Sequence, residues 1–400
     1  MKSFFTFLVA AAFIVGNAAN ATAQSVSKPV VIGEELTLYS SVLKEERVLF
    51  IGKPLNYETS TERYPVLFLL DGGTHFHHTT ATTRFLASNQ FAPEMLVVAI
   101  GNTDRTRDLT PPSQDPAVTR TAPTHGGAAG FQTFIADELV PWLDKNYRTR
   151  PFRVLVGHSF GGLFAIHSLI TRPDLFNAYI AISPSLQWDS QQVVKRAQEF
   201  FARTDKLNVS LYITSGNEGG VQVGGIRKLT GVLQERTLDG FSWHYEPMPL
   251  ESHGSVPNRS TYQGLEFVFS DWTLRDPFET YNKYGIEAVE NFFAASEKKY
   301  GMGRAVRDRV TPRIALELES AGRLDEIMAL LSRNVFRFGA NSVQPPASYL
   351  VRIADQYLAK GRTEKAVEVY QLALEAEPGN DAAKQALTKL GIELSSPATR

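Results

Sequence analysis

The pattern best suited to covalent chemistry in this chain is a serine with glycines two positions to either side, Gly157-His158-Ser159-Phe160-Gly161. A serine hydroxyl is a weak nucleophile at neutral pH. It needs an imidazole to take its proton, a carboxylate to orient that imidazole, and amide donors to hold the oxyanion. The small residues at 157 and 161 suit a sharp strand-to-helix turn that exposes Ser159. The apolar runs 152–156 before it and 163–170 after it supply the strand and the helix.

An elbow of this kind carries its partners in the chain order serine, acid, histidine. His253, in Glu251-Ser252-His253-Gly254-Ser255, lies just past the last strand-like run and is the expected base, because the other downstream histidine, His244, falls inside that run. Glu218, in the loop Ser215-Gly216-Asn217-Glu218-Gly219-Gly220, is the expected acid, with Asp239 and Glu251 as alternatives. The oxyanion site calls for the Phe160 amide and a second amide from the loop after the run ending at Leu70, where Gly73 is the choice.

Arg105 and Arg107 are candidates to clamp an anionic substrate group bidentately, or else to pair with Asp104 or Asp108. Trp188 is a candidate pocket wall. His75, with His77 and His78, is read as lining the site entrance from a loop; without cysteine or a His-Glu-x-x-His helix, the three make a poor case for a metal. No metal and no cofactor is expected.

The elements that must position these residues alternate. Runs at 65–70, 96–100, 152–156, 178–182, 209–214 and 243–248 read as strands, and 128–146 (interrupted by Pro141) and 190–203 as helices. Almost wholly apolar strands separated by helices mean a mostly parallel sheet covered on both faces, with chemistry at the strand C-terminal ends. Residues 34–40 and 46–52 suit an edge hairpin. After residue 276 the pattern is helical. Ala347 to Asn380 resembles a tetratricopeptide repeat, with Thr311 to Arg333 as a weaker neighbour. The expected division is a signal peptide at 1–23, an α/β domain at 24–276 and an all-α domain at 277–400.

Composition narrows the function class. The 41 Lys and Arg balance 42 Asp and Glu, which argues against nucleic acid, and no internal run is long enough to span a membrane. Met1-Lys2, the apolar stretch 4–15 and Ala21-Thr22-Ala23 have the three parts of an export signal, so a secreted or periplasmic protein is expected. With no cysteine, disulfides are excluded. A small-molecule ester is the expected substrate. The C-terminal helices are the place for a protein partner or self-association, and an adaptor built on a weakly active hydrolase scaffold is the alternative function.

Together these residues resemble an esterase branch of the α/β-hydrolases that includes enterobactin esterases, S-formylglutathione hydrolases and feruloyl esterases. The likeness covers about residues 30–272 and rests on Pro65 to Asp71 with Gly72, Gly157 to Gly162, Ile182-Ser183-Pro184-Ser185 with Trp188, Gly216-Asn217-Glu218, and His253-Gly254. The run from Asn102 to Pro111 resembles the Arg-rich loop of siderophore-esterase-like members. The resemblance implies an α/β-hydrolase fold and cofactor-free hydrolysis of carboxylic esters. The helical C-terminus departs from the small members of that group.

Overall fold

The computed structural model describes residues 27–274, 276–301, 303–332 and 345–393; the expected export signal at 1–23 lies outside them. The chain divides at Val31, and Ile32–Arg400 form one compact unit that carries every element below. Among the described residues no helix is long and apolar enough to cross a membrane.

Six apolar runs and one hairpin make an eight-stranded sheet: β1 (Glu34–Ser40), β2 (Glu45–Gly52), β3 (Tyr64–Leu69), β4 (Leu96–Ile100), β5 (Thr149–His158), β6 (Ala178–Ile182), β7 (Lys206–Ser215) and β8 (Asp239–Pro247). Their order is β1-β2-β4-β3-β5-β6-β7-β8. The β1/β2 and β2/β4 pairs are antiparallel, and the rest are parallel. Every residue of β3, β4 and β6 is buried, as strands covered on both faces must be. This is the expected α/β architecture, and its strand order reverses between β3, β4 and β5, the place where such sheets open a crevice.

One expectation is corrected. His75, His77 and His78 stand on a helix, Gly72–Ser88, and not in a loop. Its threonine-rich sequence has low helix propensity, and packing of Phe76, Thr79, Thr83 and Leu86 overrides it. Around Pro141, helix Ala128–Thr133 widens into a π-helical turn, Phe134–Leu139, before Val140–Asn146. Proline lacks the N–H that the preceding turn needs, and the wider register accommodates its absence.

Past Pro247 the described residues are helices and connections. The helix Pro277–Tyr300 shares one hydrophobic core with the sheet. Tyr300 packs edge-on against Phe152 at 5.0 Å between ring centroids and near Trp272 at 5.9 Å, and its hydroxyl donates to the Val268 carbonyl at 3.2 Å. Phe152 begins the part of β5 that ends at His158, so these helices attach about 20 Å along the strand from the nucleophile turn. Helices Ala347–Ala359 and Thr363–Ala376 pair around Gly361, which takes a left-handed φ of 72°, and they bury Leu350, Ile353, Tyr357, Ala366, Tyr370 and Ala373.

Candidate active site

β5 delivers Ser159 to the turn before helix Phe160–Thr171. Ser159 is held at φ 60°, ψ −113°, a backbone conformation that costs an ordinary residue of order 1–3 kcal/mol and needs support from its surroundings. The support is visible. The Ser159 amide donates to the Ile182 carbonyl at 2.9 Å, and its own carbonyl accepts from Leu163 at 2.9 Å. Gly157 has no room for a side chain, since a Cβ there would run into the Gly161 carbonyl.

The loops after β7 and β8 bring Glu218 and His253 together. The Asn217 amide donates to the Glu251 carbonyl at 2.6 Å, and the Met248 amide donates to Ser215 at 2.7 Å. A Cβ at Gly216 would stand 2.8 Å from the Glu251 carbonyl oxygen, so a glycine there lets the two loops touch. With the loops in contact, Nδ1 of His253 lies 2.6 Å from Oε1 of Glu218. The carboxylate is 6% exposed and the imidazole 42%. The alternatives stand elsewhere: Glu251 accepts from Ser255 Oγ at 2.7 Å, and Asp239 pairs with Lys206 at the far end of its strand.

Ser159 itself is not hydrogen-bonded to His253. Its Oγ lies 3.2 Å from Oγ of Ser185, a buried residue. Phe160 opens its helix and Gly73 lies in the first turn of Gly72–Ser88, so both amides belong to the set that a helix leaves without internal partners. Nothing lies within 4 Å of where a Gly73 side chain would begin.

Arg105 meets a carboxylate that the sequence reading did not consider. Its Nε and Nη2 donate to Asp71 Oδ1 and Oδ2 at 2.6 and 3.0 Å, and Nη2 reaches the His158 carbonyl at 3.2 Å. Burial raises the Asp71 carboxyl pKa, but the Arg105 and Asn102 hydrogen bonds and the Arg105 charge outweigh it and hold the group below the usual carboxylate range. Arg107 is engaged with Glu45 and with Asp108, the latter at 2.8 Å, and buried Arg47 joins Asp108 at 2.6 Å. This network fixes the short helix Arg105–Leu109 that presents Arg105. Trp188 is buried, donates from its indole N–H to the Pro111 carbonyl at 3.2 Å and packs edge-on against Phe160 at 5.4 Å.

His75 lies 3.0 Å from His78, nitrogen to nitrogen, and its ring is 5.7 Å from that of His158. The His158 ring in turn is 4.5 Å from that of His253. Burial, with the neighbouring His253 and His75, pushes His158 down to about 4, and burial does the same to His78. Among the described residues no group of three or more His, Cys, Asp or Glu is arranged to hold a metal ion. Asp71, Asn102, His158 and Ser185 carried no assigned role in the sequence. The signal that could have marked them was their place at or just past the C-terminal ends of β3, β4, β5 and β6.

A mostly parallel sheet with helices on its faces, a serine on a strained strand-to-helix elbow and a histidine bonded to a carboxylate on the loops that follow define the α/β-hydrolase fold. Residues 40–225 match the family described as Putative esterase. The ferri-bacillibactin esterase of Bacillus subtilis is 33% identical over 199 residues, which cover 45% of this chain and 68% of that protein. The siderophore triacetylfusarinine C esterase of Aspergillus fumigatus is 34% identical over 172 residues, 39% of this chain and 57% of that one. An IroE-like serine hydrolase of Shewanella oneidensis has a similar structure, with a TM-score of 0.59 at 25% identity over 86% of this chain and 99% of its own. The chain belongs to this family of carboxylic ester hydrolases, in its siderophore-esterase-like branch.

Proposed function

We propose that this protein hydrolyses siderophore-type carboxylic esters through a Ser159–His253–Glu218 triad and an acyl-enzyme. The observation that carries the reading is the 2.6 Å contact between His253 and Glu218 on loops bound to each other beside the Ser159 elbow. Glu218 accepts the Nδ1 hydrogen and orients the ring, leaving Nε2 to take the Ser159 proton. As the Oγ–C bond forms, the carbonyl π pair moves onto oxygen, where the Phe160 and Gly73 amides hold it. Collapse expels the alcohol with the proton from His253, and water then repeats the sequence on the acyl-enzyme.

The substrate class comes from the relatives, two of which are esterases named for siderophores. The cationic Arg105, part-exposed over the Phe160 ring and bound to Asp71, supports an anionic or polar aromatic ligand beside the elbow. Export to the periplasm or beyond is part of the proposal and rests on residues 1–23. Helix Pro277–Tyr300 packs on β5 away from the elbow, which supports a stabilising or partner-binding role for the C-terminal helices.

Mass analysis of products tests the substrate. Incubated with ferri-bacillibactin, triacetylfusarinine C and p-nitrophenyl butyrate, the enzyme should hydrolyse at least one siderophore ester with higher kcat/KM than the aryl ester. Cleavage of the aryl ester alone would refute the siderophore assignment and leave the esterase one standing.

A further inference from the structure

In the free protein the nucleophile is bonded to a second hydroxyl and not to its base. Ser159 Oγ and Ser185 Oγ are 3.2 Å apart, Ser185 is 3% exposed, and this is the one hydrogen bond its hydroxyl makes among those described. The loop that presents Ser185 is fixed at several points. The Ser183 amide donates to Thr214 at 3.0 Å, the Ser185 amide donates to the Ser159 carbonyl at 3.1 Å, and the Trp188 amide donates to the Ser185 carbonyl at 3.2 Å. Ser183 is held at a left-handed φ of 39°, and a Cβ at Gly162 would come within 2.8 Å of Pro184 Cα. Backbone strain on one side and a missing side chain on the other bring this loop hard against the elbow.

We propose that Ser185 is a positioning residue that holds the Ser159 hydroxyl off His253 until substrate is bound. The proposal rests on Ser159 being the nucleophile. Before acylation Ser159 must give up Ser185 and turn Oγ toward the imidazole; only then can its proton pass to His253 while the Oγ–C bond forms and the carbonyl π pair moves to oxygen. A contact present in the ground state and absent from the transition state raises the barrier to that step. Deacylation starts from an esterified Oγ and has no such contact to break, so the effect falls on acylation.

The test uses the full chain and a fluorophosphonate probe. Ser185→Ala should label at Ser159 about two- to tenfold faster than wild type, the size expected for one hydrogen bond. Ser185→Thr, which returns the hydroxyl, should label at the wild-type rate. With p-nitrophenyl butyrate, kcat/KM should rise by the same factor in the Ala variant, with KM falling where deacylation limits kcat.

An Ala variant of unchanged Tm that labels no faster than wild type overturns the proposal. So does a Thr variant as fast as the Ala variant, because space and not the hydroxyl would then be the cause. If wild type takes no label at Ser159, the nucleophile assignment fails instead. Should the Ala variant not fold, a crystal structure of the free wild-type protein decides: Ser159 Oγ on Ser185 upholds the proposal, and Ser159 Oγ on His253 Nε2 overturns it.

Discussion

His253 turns its Nδ1 to Oε1 of Glu218 at 2.6 Å, and the carboxylate is almost wholly shielded while the imidazole is part-exposed. A neutral amide in place of the carboxylate keeps the shape but loses the charge and can stabilise the wrong tautomer. Glu218→Gln is therefore expected to lower kcat about 10²- to 10⁴-fold with little change in thermal stability. Glu251→Gln and Asp239→Asn, whose carboxylates bond elsewhere, should keep near wild-type rates. Steady-state kinetics on the three variants checks this.

The glycines of the site differ in what they tolerate. Gly73→Ala places its Cβ in open space and leaves the backbone amide in position, so activity should stay within about threefold of wild type. Gly157→Ala drives a methyl into the Gly161 carbonyl, and the elbow must shift. Loss of most activity, together with a lower Tm, is the expected result for that variant.

Arg105 and Asp71 form a pair that is costly to halve. Arg105→Ala leaves a buried carboxylate with Asn102 as its remaining side-chain partner, and a loss of about 1 to 3 kcal/mol in urea unfolding is expected. Asp71→Asn in the Arg105→Ala background should recover part of that loss. Additive losses in the double variant would show that the two side chains act independently.

Stability should depend on pH through three histidines. Burial is the largest cause that holds His78, His158 and His167 at about 4 against an ordinary 6.5. Between those values the unfolded chain binds more protons than the folded one, so stability rises with pH across the window and is flat above it. Falling pH removes it, by about 1 to 3 kcal/mol for each group. Urea midpoints of wild type and His167→Gln at pH 4.5 and 7 check the sign. The variant should lose less stability on acidification, whatever its plateau.

The sheet was legible because its central parallel strands are written as apolar runs, and the candidate residues Ser159, Glu218 and His253 because each lies past the C-terminal end of a strand-like run. The helix Gly72–Ser88 was hidden by its threonines, whose propensity the core overrides. Asp71 as the partner of Arg105, and Ser185 as the partner of Ser159, are contacts between loops that only the assembled sheet brings together. Spacing along the chain carries no trace of them. Trp188, a candidate pocket wall, is mostly buried against Phe160 and bound to Pro111.

Hydrolysis of p-nitrophenyl butyrate by wild type and by Ser159→Ala, measured side by side with both proteins shown to be folded, puts the central claim to its most direct test. The account predicts a fall in kcat/KM of about 10³-fold or more on removing the hydroxyl. Equal rates in the two proteins would contradict it.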